Sequence, residues 1–208
     1  VYRPGELLET VPGLIVTQHS GEGKANQYFL RGFNLDHGTD LRITIDGMLV
    51  NQRSQGHGQG WADTNFMIPE LVGNVQYMKG SYYANQGDFS SAGSVSMGYV
   101  DKLPKGIASY GLGQQGFMRG LVAKSHEVGN GNVLYAVELL TKDGPWVKPE
   151  DFKKFNAVLR YSQDTGPTKF NITAMGYGGN WNSTDQIPQR AVASGFVPRL
   201  GAIDPSDG

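Results

Sequence analysis

Hydrophobic and polar positions change rhythm once along this chain. Up to about residue 103 the apolar residues come in short, irregular groups; beyond it they alternate with polar ones. Leu7, Leu8 and Val11 stand at helical spacing, and Pro12-Gly13 ends the short helix they predict over 5–11. Leu14-Ile15-Val16 reads as a strand, followed by a polar loop over 18–26. Further strands are expected at 27–31 and 41–46. Asp46-Gly47 is a hairpin dipeptide whose glycine is free to take positive φ, with Met48-Leu49-Val50 as the returning arm. Residues 51–63, rich in Gly, Gln and His, predict a loop. One helical turn is expected at 68–72, with Pro69 near its start, and strands of mixed polarity at 75–79 and 95–100.

Pro104-Lys105-Gly106 marks the change. Ala108, Tyr110 and Leu112 fall on one face of the first strand after it. Phe155, Ala157, Leu159 and Tyr161 share a face, with Asn156, Arg160 and Ser162 on the other; Phe170, Ile172 and Ala174 oppose Asn171 and Thr173. A strand between two unlike media requires this period of two. The stretch 133–140 alternates less cleanly and 118–126 is ambiguous. Tight turns are expected at Gly129-Asn130-Gly131-Asn132 and Thr165-Gly166-Pro167-Thr168. The connection 144–151 is longer, and 182–208 has no strand pattern. Short turns at one end and long loops at the other are the layout of outer-membrane barrels, whose interface girdles Phe117, Trp146, Phe152 and Trp181 would suit. On pattern alone the simpler reading is a soluble sandwich with these aromatics in its core.

Composition narrows the classes. The 208 residues allow one domain or two small ones. Glycine, 30 of them, is about twice as frequent as usual and has no collagen-like period, which fits many tight turns. A net charge of -1, an 18% charged fraction and the lack of a basic run give no footprint for nucleic acid. Without cysteine there is no disulfide framework and no thiolate metal site. No apolar stretch approaches the roughly 18 residues of a spanning helix, although barrel strands conceal their apolar residues by alternation. The sequence enters directly on a helical pattern with no leader, so it is expected to begin inside a longer protein.

Five elements occur in order: Val11-Pro12-Gly13-Leu14-Ile15-Val16, Leu30-Arg31-Gly32-Phe33, Ile45-Asp46-Gly47, Val75 to Lys79-Gly80-Ser81, and Ala92-Gly93. Each is weak alone; together, over about 5–103, the chain resembles the plug domain of TonB-dependent outer-membrane receptors. Ser81 stands where that family usually has proline. The resemblance implies an α+β plug domain over 1–103 followed by antiparallel strands of an incomplete transmembrane β-barrel, the first about five strands lying within 104–208. It further implies a transporter rather than an enzyme, no cofactor, and a place in the bacterial outer membrane in contact with its lipid. The implied partners are a small-molecule or metal-chelate cargo and a TonB-type energy-transducing protein, whose contact segment is not among these residues. The family's barrel has about 22 strands. An open sheet cannot leave its edge groups unpaired in hydrocarbon, so a fragment of a longer or truncated product is expected.

Two groups of candidate residues follow from the resemblance. Arg31, Asp46, Glu70 and Lys79 are candidates for ion pairs between plug and barrel, with Arg31 buried in a strand. His37, His57, Gln59, Trp61 and Asp63 are candidates for the ligand-binding plug apex, since a polar cargo needs a few donors, acceptors and a stacking face. Four histidines without close spacing give no metal-ligand pattern, and no metal site is assigned. Asp36, Asp40 and Asp63 show no spacing that singles out a hydrolytic pair. Gly21-Glu22-Gly23 and Gly56-His57-Gly58-Gln59-Gly60 lack the strand–helix context of a phosphate cradle. Asp143-Gly144-Pro145-Trp146 begins a loop suited to a lip contact with cargo. The alternative class is a soluble or surface β-rich carbohydrate-binding module that stacks sugars on Trp61 and Trp146.

Overall fold

Turn chemistry sets the first part of the fold. The computed structural model describes residues 3–18, 21–35, 39–54, 61–184 and 186–204. The chain divides into two units, Val1–His19 with Lys24–Val100 and Ser20–Gly23 with Asp101–Gly208. In the first unit a 3-10 helix, Pro4–Thr10, begins on proline, where a missing N–H is harmless. Then come β1 (Leu14–Thr17), β2 (Gln27–Leu30) and β3 (Phe33–Leu35), an antiparallel meander. Arg31 and Gly32 join β2 to β3 at φ 54° and 81°; Asp46 and Gly47 join β4 (Leu41–Ile45) to β5 (Met48–Leu49) at 47° and 80°. Two-residue loops with both residues left-handed match the twist of the strands they connect.

The Asp46-Gly47 hairpin is the one the sequence predicts, whereas Arg31 departs from expectation. The strand expected through residue 31 ends at Leu30, and Arg31 is exposed in the turn. For Phe33 to pair with Leu30, the chain must reverse within two residues. Gly32 supplies only one of the two left-handed positions, and Arg31 is drawn into the other.

The second sheet of this unit runs β5-β4-β7-β6, with β6 (Val72–Lys79) antiparallel and β4 parallel to β7 (Gly93–Tyr99). Ile43 faces Val95 and Ile45 faces Met97 in register, all four buried. Buried Asn51 continues the edge of β4 where β5 has already ended. Its Nδ2 donates to the Leu41 carbonyl (2.9 Å) and its Oδ1 accepts from the Ile43 amide (2.7 Å), so these backbone groups are not left unpaired.

The second unit is one antiparallel sheet of five strands in sequence order: β8 (Ile107–Leu112), β9 (Met118–Val128), β10 (Gly131–Lys142), β11 (Phe152–Asp164) and β12 (Lys169–Asn180). The ambiguous stretch at 118–126 is thus a full strand. Its alternation is obscured because Arg119 and Glu127 lie on one face and Lys124 and His126 on the other. The tail carries a short helix, α1 (Gln189–Ala193), which its sequence pattern did not announce.

The polarity of this sheet is inverted relative to a water-soluble one. Phe155 and Leu159 are 44% and 56% exposed, while Lys154, Asn156 and Arg160, on the other face of β11, are 4%, 0% and 3% exposed. Tyr135, Val137 and Leu139 are likewise exposed on β10, around buried Glu138. Phe170 and Ile172 extend the apolar face across β12. Contiguous apolar surface of this kind calls for an apolar medium. The 13 residues of β11, rising about 3.3 Å each and tilted about 45° as spanning strands are, cover roughly 30 Å, the thickness of a hydrocarbon core.

At the short-turn end the exposed face ends in aromatic groups. His126 stacks on Tyr135 with centroids 5.8 Å apart, and Tyr161 meets Phe170 edge-on at 6.4 Å. Phe152, expected in such a girdle, is instead buried and packs edge-on against Trp181 at 6.4 Å, because its position in β11 falls on the polar, buried face. Among the described residues the sheet does not close: β8 and β12 each have a single neighbour.

Candidate functional site

The buried face of the five-stranded sheet holds its charges in two groups. In the first, Glu138 (β10) accepts from Arg119 Nε (β9) at 2.6 Å, lies 3.0 Å from Lys154 Nζ (β11), and accepts from Asn156 Nδ2 at 2.8 Å. Adjacent strands bring these residues side by side: Asn156 faces Glu138 directly, while Arg119 and Lys154 both face Leu140, two residues further along β10. In the second, Asp101 takes Arg160 through Nε (3.0 Å) and Nη2 (2.7 Å), and Lys169 Nζ at 2.5 Å; Arg160 Nη1 also donates to Thr173 Oγ1 at 2.7 Å. Glu138, Lys154 and Arg160 are withdrawn from water, where charges persist only when paired and hydrogen-bonded in this way, whereas Lys169 reaches Asp101 from an exposed position.

Desolvation works to raise the Asp101 pKa, but the hydrogen bonds and charges of Lys169 and Arg160 outweigh it and hold the carboxyl below its ordinary value of 3.8. A folded-state pKa below the unfolded one contributes stability that is complete above about pH 4 and is lost as pH falls through the folded value. Asp101→Asn is therefore expected to flatten the acid limb of a stability–pH curve. At neutral pH the same change costs about 1.5–3 kcal/mol, the worth of hydrogen bonds to a charged group; unfolding in detergent across pH 2.5–7 measures both.

At the long-loop end, a cluster forms around the connection between β10 and β11 and the segment after β12. Gly21-Glu22-Gly23 belongs to this cluster. The Gly21 amide donates to Thr184 Oγ1 (2.8 Å), the Glu22 amide to Glu150 Oε1 (3.1 Å), and Lys142 Nζ pairs with Glu22 Oε1 at 2.5 Å. The two glycines are there for lack of room. A Cβ on Gly21 would stand 1.4 Å from Glu150 Oε1, and one on Gly23, whose φ is +81°, would stand 2.3 Å from the Trp181 ring. Glu150 is buried; desolvation pushes its carboxyl above the ordinary carboxylate value, with the Glu22 amide opposing the shift. Gly23→Ala is expected to expel the segment, costing about 1–3 kcal/mol through strained φ and overpacking. Faster amide exchange at 21–24, with the sheet unaffected, would report it.

The loops are fastened to one another. Val147 N donates to Leu200 O (2.9 Å), Asn182 N to Glu150 O (2.7 Å), and Asn182 Nδ2 to Pro149 O (3.1 Å). They frame a partly open cavity of about 260 Å³ with Trp146, Ile187, Leu200 and Ile203 among its apolar walls, and Asn182, Thr184 and Gln186 among its polar ones.

His37, His57 and Gln59 lie outside the described residues. Trp61 is half-buried, and its carbonyl accepts from the Gln52 amide at 2.7 Å. Asp63 Oδ1 accepts from the Asn65 amide at 2.8 Å, an Asx turn. Asp46 is exposed, and its carboxylate accepts from the Tyr99 amide at 3.2 Å. Glu70 is exposed on the 3-10 turn Pro69–Leu71. Lys79 ends β6 with its Nζ 5.8 Å from the centre of the Tyr77 ring. Among the described residues no group of three or more His, Asp or Glu is placed to hold a metal ion. The charges that do pair within the sheet, Arg119, Glu138 and Lys154, escaped the sequence reading. Lys154 occupies the polar phase of its strand, but Glu138 stands in phase with Leu134, Ala136 and Leu140, and Arg119 with Leu121 and Ala123, so alternation gave no signal for those two.

A family profile describing the TonB-dependent receptor plug domain matches residues 1–94. Among solved structures, the chain is similar to the copper transporter OprC, with 19% identity and a TM-score of 0.66 over 86% of this chain and 28% of that one. It is also similar to the FrpB iron transporter from Neisseria meningitidis (F3-3 variant), with 18% identity and a TM-score of 0.62 over 84% and 29%. A third is the pyoverdine outer membrane receptor FpvA from Pseudomonas aeruginosa PAO1, with 18% identity and a TM-score of 0.58 over 82% and 25%. This chain spans less than a third of the length of each.

Proposed function

We propose that the chain, whose residues 1–94 match the model of the TonB-dependent receptor plug domain, is the gate and opening barrel strands of a bacterial outer-membrane receptor for active uptake of a metal ion or metal chelate. In this reading 1–103 is the plug, 104–208 supplies the first barrel strands, and a TonB-type protein provides the energy. The observation that carries it is the inverted sheet after Val100: an exposed apolar face and a buried face of paired charges suit a wall between lipid and a polar lumen. A soluble carbohydrate-binding module offers no reason for that inversion. The cargo class follows the structural neighbours, which include transporters of copper and iron and a pyoverdine receptor.

Cargo is first held at loops including His37, His57, Gln59, Trp61 and Asp63, while Arg31, Asp46, Glu70 and Lys79 hold the plug through ion pairs that can be released. For cargo to signal, it must bind the closed and the pulled states with different affinity; binding both equally would shift nothing. The test is accumulation of labelled copper and of labelled iron chelates by cells carrying the complete receptor. Uptake that requires both the receptor and TonB supports the reading, and uptake unchanged by deleting either overturns it.

A further inference from the structure

Among the described residues, the outward-facing positions of the sheet from β8 to β12 carry no carboxylate and two lysines. Lys153 stands in the first turn of alternation of β11, at the long-loop end, with its Nζ 2.9 Å from Asp151 Oδ2. Lys124 stands within β9 between exposed Val122 and exposed His126, and no acidic side chain shares its face. Glu127 points to the other face and pairs with Lys102 at 2.6 Å. A cation on a lipid-facing surface is disfavoured according to its depth, and one that persists there calls for a partner. Lys124 lies four positions before β9 ends at Val128 on the short-turn side, roughly 9 Å in depth for a rise of about 3.3 Å per residue and a tilt of about 45°. From that depth its stem carries the ammonium toward the headgroups.

Its neighbours supply further donors at that level. Tyr135 faces Lys124 across the β9–β10 ladder, and His126 stacks on the Tyr135 ring, the two planes 13° apart. His126 Nε2 lies 3.3 Å from the Tyr135 hydroxyl. A phenol oxygen that accepts from the imidazole keeps its own O–H to donate, and the ammonium has three N–H groups. On the β8 side Lys124 is flanked by Gly106, where a Cβ would touch its Cγ at 3.5 Å, so no side chain there covers the lysine. Toward mid-sheet the same face continues with Val122, Val137, Tyr110 and Leu139, all exposed. Donors at the membrane edge with apolar surface running inward from them complement a phospholipid, whose anionic phosphate sits above its acyl chains.

We propose that Lys124, His126 and Tyr135 bind the phosphate of an anionic phospholipid in the leaflet on the short-turn side. Charge and position favour a lipid over a free anion: one lysine matches the single charge of a phosphodiester, and the apolar positions beyond it accept the chains. The inference rests on the reading of this sheet as a barrel wall given above.

The test uses the complete receptor, purified and delipidated in a non-ionic detergent. Native mass spectrometry follows binding of dioleoyl phosphatidylglycerol, of dioleoylglycerol, which has the chains without the phosphate, and of inorganic phosphate as competitor. A single phosphatidylglycerol is expected to bind about tenfold more tightly than the diacylglycerol. Lys124→Gln is expected to remove about tenfold of that affinity, as loss of a hydrogen bond from a charged group does, and Tyr135→Phe about threefold. Both residues are exposed, so the substitutions leave the fold intact. Lys153→Gln, on the same face at the other end, is expected to change nothing. Equal binding of the two lipids, undiminished affinity in Lys124→Gln, or an equal loss in Lys153→Gln overturns the site. Displacement by inorganic phosphate at the same concentration assigns it to a free anion and overturns the lipid. Insertion into vesicles and metal uptake separate the claims. A receptor that inserts and imports metal yet shows no preference for the phosphate refutes this inference alone. One that stays out of vesicles refutes the barrel-wall reading, and one that binds phosphatidylglycerol but imports no metal refutes only the uptake reading.

Discussion

Replacing Glu138 with leucine is expected to destabilise the folded receptor by about 3–5 kcal/mol, the usual cost of breaking a buried ion pair from one side. Lys154 would keep a charge on a side chain only 2% exposed, Arg119 on one 11% exposed, and Asn156 would lose the acceptor now 2.8 Å from its Nδ2. The penalty comes from the charges left behind more than from the lost attraction. A triple variant, Glu138→Leu with Arg119→Met and Lys154→Met, is therefore expected to recover most of the loss, since well-packed apolar replacements of whole ionic clusters are often neutral. Urea unfolding in detergent, followed by the mobility shift between folded and unfolded barrel on gels, measures both variants. A change below about 1 kcal/mol for Glu138→Leu would mean that water reaches this face and that its charges are solvated.

The second large effect is on the opposite face. Leu159→Arg is expected to cost about 2–4 kcal/mol in a bilayer, because a charge near mid-strand must be carried into hydrocarbon. Leu159 is 56% exposed; if the surrounding medium were water, an exposed leucine could become arginine within about 0.5 kcal/mol. The two media thus predict results several-fold apart. Gln163 provides the control. It lies on the same face of β11 one step from the strand's end, opposite Phe170, and there the same charge should cost no more than about 1 kcal/mol, since the penalty fades toward the interface. Equal costs at the two positions would exclude a lipid-facing sheet.

Both predictions turn on a distinction that periodicity cannot make. The alternation of Phe155, Ala157, Leu159 and Tyr161 with Asn156, Arg160 and Ser162 identifies two unlike faces, and it does so for a soluble sandwich as well as for a membrane wall. Only the fold puts the polar set inside. The same limit explains Phe152: being aromatic and at a strand end suggested a girdle, while its phase in β11 turned it toward Trp181. Arg31 shows a different limit. Its neighbours Leu30 and Phe33 read as strand, and a two-residue reversal seldom uses arginine, so the turn became legible only once the Leu30–Phe33 pairing was known.

What the amino-acid order determined unaided is local or rhythmic: the Asp46-Gly47 hairpin, the strands of period two, the short and long connections, and the ordered motifs of the first half. These follow from backbone sterics and from side chains a few residues apart. What tertiary structure decided is the company each residue keeps at long range. Glu138 meets Arg119 and Lys154 from two other strands, and Gly21–Gly23 settles against Glu150, Trp181 and Thr184 more than 120 positions away. Burial and electrostatic pairing depend on distance in space, and no local pattern along the chain encodes that distance.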